Sequence, residues 1–191
     1  LTRYINGVSN PDYDFEDVED VLMELEEKWN IEYEETQRDA IYSFLDNDLM
    51  ILSGGPGTGK TTIVKAMTAL YKKVEPHRQI ALVAPTGRAA KRLSEACDLP
   101  ASTIHRLLKW DINTNTFNHD KDHPIDVDLL IIDEFSMVDS YLFSRLLLAC
   151  DHVSKILLIG DEAQLPSIAP GQVLYDLIET NTAGGTKWNK D

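Results

Sequence analysis

Apolar positions recur along the 191-residue chain with two different periods. In DFEDVEDVLMELEEKW the residues Phe15, Val18, Leu22, Leu25 and Trp29 fall three and four apart, which places them on one face of a helix whose other face is almost wholly acidic. A second helix is expected over 35–45, with Ile41, Phe44 and Leu45 inward, before Asp46 to Asp48 turn the chain. From Leu49 the pattern changes to four short, unbroken apolar runs, LMILS, QIALVA, DLLIID and KILLIG. Such runs suit strands buried on both faces of a parallel sheet. The segments 60–72, 87–97 and 138–149 have helical length and spacing, so the alternation predicts strand-helix-strand units and a doubly wound α/β domain. One stretch departs from this: 109–124 is polar, carries Trp110, Ile112 and Phe117 at strand-like spacing, and holds an Asn-Thr-Asn turn signal, which predicts a surface hairpin. The expected organisation is a helical segment over 1–48, an α/β domain over 49–178 and a flexible tail over 179–191.

Composition adds exclusions. With 43% hydrophobic and 26% charged residues the chain resembles an ordinary globular protein rather than a disordered one. No apolar run approaches the roughly 18 residues a membrane span needs. The opening LTRYINGVSN lacks the basic start and apolar stretch of a secretory signal, and its first residue, Leu, leads us to expect a piece of a longer protein. Cys97 and Cys150 are too few and too far apart for a disulfide framework or a zinc site, so buried free thiols in a reducing cytoplasm are expected. The net charge of -14 argues at first against a polyanionic partner. Its distribution weakens that reading: 11–48 holds 15 carboxylates against Lys28 and Arg38, whereas 49–191 holds 17 against 15 bases and is nearly neutral.

The strongest chemical signal is Gly54-Gly55-Pro56-Gly57-Thr58-Gly59-Lys60-Thr61, a full G-x-x-x-x-G-K-[ST] phosphate loop between a predicted strand and a predicted helix. Glycines let successive backbone N–H groups curl around phosphate oxygens, and the following helix, from Lys60 through Thr61 and Thr62, points its positive end at the same anion. Lys60 can reach the β- and γ-phosphates, and the Thr61 hydroxyl can ligate Mg²⁺. The run Leu129 to Ile132 ends in Asp133-Glu134, where a strand terminus would present a metal ligand, Asp133, and a general base for an attacking water, Glu134. A third apolar strand delivers Asp161 and Gln164 just past its C-terminal end. There Gln164 can sense a γ-phosphate or the nucleophilic water and Asp161 can support the Mg²⁺ water shell, or the segment is simply a polar turn.

Together GGPGTGKTT, APTGRAAKRL, ASTIHRLL, LLIIDEFSMVD and LIGDEAQLPSIAPGQVLYDL resemble the first motor domain of RecD-like superfamily-one DNA helicases, a family that includes the helicase part of conjugative relaxases. The resemblance spans about 35–178 and implies a RecA-like P-loop NTPase fold that uses ATP and Mg²⁺. It implies an adenine-reading role for Gln37, nucleotide-site roles for Lys60, Thr61, Asp133 and Glu134, and a role for Gln164 in coupling γ-phosphate state to DNA grip. On the DNA side it matches Pro85 and Thr86, which follow a strand and open a helix, and Thr103 and His105 in TIHRLL. Arg88, Lys91 and Arg92 share one helical face, and with Arg106 and Lys109 they form the most basic stretch of the chain. A solvated face is the competing reading of that run, and a packed structural role that of His105.

The implied partner is single-stranded DNA, with partner helicase or nuclease subunits or a single-strand-binding protein as further candidates, a cytoplasmic location and 5′ to 3′ translocation. No later helicase motif follows Leu177, so a charge that such motors receive from a second domain is expected to be lacking and hydrolysis to be slow. The rival readings are a nucleotide-switched binding module and a ring-forming P-loop ATPase. The apolar stripe of the acidic helices is expected to pack on the core or on an upstream domain, with a dedicated partner-binding role as the alternative; an uncovered stripe would drive an otherwise monomeric chain to self-associate.

Overall fold

In the computed structural model, which describes residues 15–54 and 59–160, the two periods separate into two kinds of element. Helix α1 (Phe15–Trp29) turns Val18, Leu22 and Leu25 inward and leaves Met23 and most of its carboxylates outside, Glu26 being buried. Helix α2 (Glu35–Asp46) buries Ala40, Ile41, Phe44 and Leu45. At its start the Gln37 Oε1 accepts the Glu34 N–H at 3.0 Å, occupying a backbone donor that the first helical turn leaves unpaired. Arg38 ties the two helices together: its guanidinium binds Glu19 at 2.5 Å and Glu26, while Glu26 also accepts the Tyr33 N–H at 2.6 Å.

Five strands form the central sheet. They are β1 (Leu49–Ser53), β2 (Ile80–Ala84), β3 (Ala101–Thr103), β6 (Leu129–Ile132) and β7 (Lys155–Gly160), in the order β1-β7-β6-β2-β3 with every pairing parallel. Helix α3 (Lys60–Val74) links β1 to β2, α4 (Gly87–Cys97) links β2 to β3, and α6 (Ser140–Leu148) links β6 to β7. The first two connections step one way across the sheet and the last steps back. Right-handed crossovers therefore place α3 and α4 on one face and α6 on the other.

Alternation along each strand fills both faces. Met50, Leu52, Leu129, Ile131, Leu157 and Ile159 pack with α1 to α4, whereas Leu49, Ile51, Leu130, Ile132, Ile156 and Leu158 pack with α6. Each such side chain, fully buried, contributes about 1.5–3 kcal/mol, so short strands are held by their two covers rather than by pairing alone. Val18, Leu22, Leu25 and Trp29 of the α1 stripe join the same core as α3, one of the two packings expected for it.

Two features differ from the expectations. A fifth strand, β3, and a short helix α5 (Ile104–Leu107) occupy ASTIHRLL, where no apolar run signals a strand. The helix expected over 138–149 starts two residues later, as α6, because Asp139 accepts the Leu142 N–H at 2.8 Å and caps it, and a 3-10 turn (Phe135–Met137) precedes the expected span. The expected hairpin forms as β4 (Trp110–Asp111) against β5 (Thr116–Phe117), with Ile112 exposed at its tip. The expected domain limit at 178 and the tail beyond it lie outside the described residues. Among the described residues no helix is long and apolar enough to cross a membrane.

Candidate nucleotide and nucleic-acid site

Because all five strands run parallel, their C-terminal ends line one edge of the sheet, the position where open α/β sheets bind ligands. Gly54 follows β1, Asp133 and Glu134 follow β6, Pro85 and Thr86 follow β2, and β3 ends at Thr103. Strand β7 separates β1 from β6, and β3 lies beyond β2. The nucleotide candidates thus occupy one half of the edge and the nucleic-acid candidates the other.

On the nucleotide half, Gly59 caps α3 with φ of 78°, a left-handed backbone that an L side chain adopts only with strain. Lys60 and Thr61 open the helix, and the Lys60 ammonium donates to the Gly54 carbonyl, so it already spans the mouth of the loop. Gly55, Pro56, Gly57 and Thr58 lie outside the described residues, as do Asp161 and Gln164. Gln37 comes to this place from α2: its Nε2 lies 3.4 Å from where a β-carbon on Gly59 would stand. Its motif match thus gains a spatial neighbour in the phosphate loop.

Asp133 continues the β6 ladder through its N–H to the Val83 carbonyl at 2.9 Å. Its Oδ1 accepts the Glu134 N–H at 2.8 Å. Burial pushes the Asp133 carboxyl up and the neighbouring Glu134 charge adds to this, against the lowering effects of the Glu134 N–H, Arg92 and Lys60. Glu134 has φ of 50° and ψ of 39°, a left-handed turn that ends the strand and starts the 3-10 turn. Its Oε1 meets Arg92 Nη2 at 2.5 Å, an ion pair between residues 42 positions apart that motif reading missed.

The nucleic-acid candidates receive local structural roles. Thr86 Oγ1 accepts the Ala89 N–H at 3.2 Å and caps α4, and Thr103 Oγ1 does the same for Arg106 at 3.2 Å and α5. Arg88 and Lys91 are exposed on α4, with Lys91 3.8 Å from Glu95. His105 is exposed rather than packed in the core, its ring 5.9 Å from Trp110 and 5.8 Å from Phe117. Arg92 is bound to Glu134 and so does not stand as an unpaired member of the basic face. An open groove of about 710 Å³, lined in part by Glu19, Met23, Glu26 and Arg38 between α1 and α2, carries none of these residues. Cys97 and Cys150 are buried and not joined in a disulfide, and burial raises their thiols to about 11 and about 12.

The fold and this edge define an α/β protein of the P-loop class. The chain belongs to the AAA domain family, whose model matches residues 37–170. It is 39% identical over 167 residues to the RecBCD enzyme subunit RecD of Mycolicibacterium smegmatis, covering 76% of this chain and 30% of that protein. It is likewise 39% identical over 145 residues to the ATP-dependent RecD2 DNA helicase of Deinococcus radiodurans, covering 76% of this chain and 20% of that protein. These matches extend the motif resemblance to RecD-like motor domains over three quarters of the chain, which spans less than a third of either relative. The fold is also that of the Pif1 helicase from Candida albicans (TM-score 0.56, 22% identity, 74% of this chain and 35% of that one) and of T4 UvsW (TM-score 0.64, 12% identity, 94% and 39%).

Proposed function

We propose that this chain is the ATP-binding and ATP-hydrolysing first motor domain of a RecD-like, ATP-dependent DNA helicase. The observation that carries the reading is the shared sheet edge. It presents the Gly59-Lys60-Thr61 helix start and the Asp133-Glu134 strand end one strand apart, with Gln37 beside Gly59. In this reading Lys60 exchanges the Gly54 carbonyl for β- and γ-phosphate oxygens, the loop 54–59 and Thr62 complete the cradle, and Gln37 meets the adenine edge. Glu134 accepts a proton from water as the water oxygen bonds to the γ-phosphorus and the β–γ bridging oxygen leaves with ADP.

Thr61 and Asp133 would hold Mg²⁺. A hydroxyl and a half-buried carboxylate whose charged form burial disfavours are donors suited to a hard cation. Among the described residues no group of three or more His, Cys, Asp or Glu could hold a metal, which fits an ion taking its other ligands from phosphate and water. When bound, the ion would supply charge neutralisation on the phosphates.

Single-stranded DNA would lie along the β2 and β3 ends, against Pro85, Thr86, Arg88, Lys91, Thr103 and His105, with Gln164 relaying the γ-phosphate state. The motor unit would span 49–178, and translocation would run 5′ to 3′ in the cytoplasm. Partner helicase or nuclease subunits belong to the same proposal, since one relative is named as a subunit of the RecBCD enzyme. Unwinding would require the second motor domain. The test is Glu134→Gln: nucleotide binding, followed with a fluorescent ATP analogue, is expected to persist while phosphate release falls by about 10²-fold or more. Unchanged hydrolysis would refute the assignment of the base.

A further inference from the structure

Arg92 and Glu134 come from opposite halves of the site. Arg92 lies on α4, whose first turn, capped by Thr86, opens the nucleic-acid half. Glu134 ends β6 on the nucleotide half. Their ion pair at 2.5 Å crosses the boundary between the two. A carboxylate whose Oε1 is held by a guanidinium is fixed in orientation and stabilised in its charged form, so it is a poorer acceptor of a water proton than the same group released. The Arg92 side chain is 62% exposed and shares a helical face with Arg88 and Lys91, so a phosphate arriving on that face can reach it without any rearrangement of the fold. Arginine offers five donors in a fork that fits phosphate as well as carboxylate, and one guanidinium can exchange one anion for the other.

We infer that Arg92 is a positioning residue that restrains Glu134 in the absence of nucleic acid and gives it up when a backbone phosphate of single-stranded DNA binds the Arg88–Lys91–Arg92 face. This deepens the proposed function and rests on it. The exchange makes DNA the signal for hydrolysis: the phosphate takes the guanidinium, the carboxylate swings free, and the water proton has an acceptor. Coupling of this kind is reciprocal, so the carboxylate must in turn oppose DNA binding through Arg92.

That reciprocity provides a test independent of turnover. Anisotropy of a labelled oligo-dT would be measured at low salt with the chain, Arg92→Ala, Glu134→Gln and the double variant. Exposed Arg92 and half-buried Glu134 can be replaced with the fold intact, checked by circular dichroism. Glu134→Gln is expected to tighten binding about fivefold when Arg92 is present and less than about 1.5-fold when it is alanine. In the matching turnover assay Arg92→Ala should raise DNA-free ATP hydrolysis several-fold and leave little further stimulation by DNA.

An equal gain from Glu134→Gln in both backgrounds would mean that only general charge repulsion is at work, and the proposal falls. It also falls if Arg92→Ala lowers DNA-free hydrolysis, which would make the arginine an aid to Glu134, or if no variant binds oligo-dT. Failure of the underlying motor reading looks different: the ATP analogue would not bind, or Lys60→Ala would leave its affinity unchanged.

Discussion

Gln37 holds two positions at once, as a helix cap and as a neighbour of the phosphate loop. Its Oε1 accepts the Glu34 N–H while its Nε2 faces Gly59. A carboxamide oxygen has two lone pairs, so the cap leaves one acceptor and the amide donors for an adenine edge. Gln37→Glu separates the two duties, since a carboxylate keeps the cap acceptor and suits a helix N-terminus but lacks the donor. The thermal midpoint is expected to stay within a few degrees while the preference for ATP over GTP falls about tenfold or more, the order of a lost bidentate base contact. Competition of both nucleotides against a fluorescent analogue would read it. The placement of Lys60 at a helix start and of Asp133 and Glu134 at a strand end was legible from residue type and spacing, because it is set locally by a loop and a strand end. The approach of Gln37 to Gly59 and the Arg92–Glu134 ion pair were not, because each joins two elements that meet only in the packed fold.

Between elements, the telling residue is Lys155. Lys155 opens the run KILLIG and, although a lysine, is only 6% exposed. Its ammonium donates to the Phe44, Leu45 and Asn47 carbonyls at 2.9, 3.0 and 2.5 Å, and so serves as the polar end of α2 from within β7. Burial lowers its pKa from 10.5 to about 8, against the raising effect of Asp48 and Asp46. Below about pH 8 the amine is charged in both folded and unfolded chains, so the burial cost is present in full. Between 8 and 10.5 the unfolded chain binds more protons, and stability must rise with pH. Lys155→Met is expected to cost about 2 kcal/mol at pH 7 through carbonyls left without donors. The gap to the native chain should widen by up to about 3 kcal/mol by pH 10, as urea unfolding at both pH values would show. A constant gap would mean that the amine is not perturbed. Strands β1 and β7 were legible residue for residue because both faces are apolar. Strand β3 was not, since Ala101, Ser102 and Thr103 at a half-buried sheet edge carry no apolar run and are set by pairing with Leu82, Val83 and Ala84.

For the whole molecule the charge balance and the sheet edge pull in different directions. Most of the charge of -14 sits on 11–48, whose helices pack on the face that also carries α3 and α4. Nucleic acid on the opposite half of the edge would feel that field at long range and the Arg88–Lys91–Arg92 face at contact. The two effects separate by salt, because exposed charges beyond a Debye length of about 10 Å at 0.1 M are screened while phosphate contacts release counterions at any concentration. Three cations meeting three phosphates of a single strand predict a log–log salt slope of about -2, falling by about 0.7 for each of Arg88→Ala and Lys91→Ala. Replacing Asp17 and Asp20, exposed on α1, by asparagine should tighten oligonucleotide binding below about 0.05 M salt, leave it unchanged near 0.15 M, and not alter the count of contacts. If the aspartates instead changed affinity equally at both concentrations, α1 itself would lie on the nucleic-acid path. The division of the edge into a nucleotide half and a nucleic-acid half would then have to be redrawn around α1.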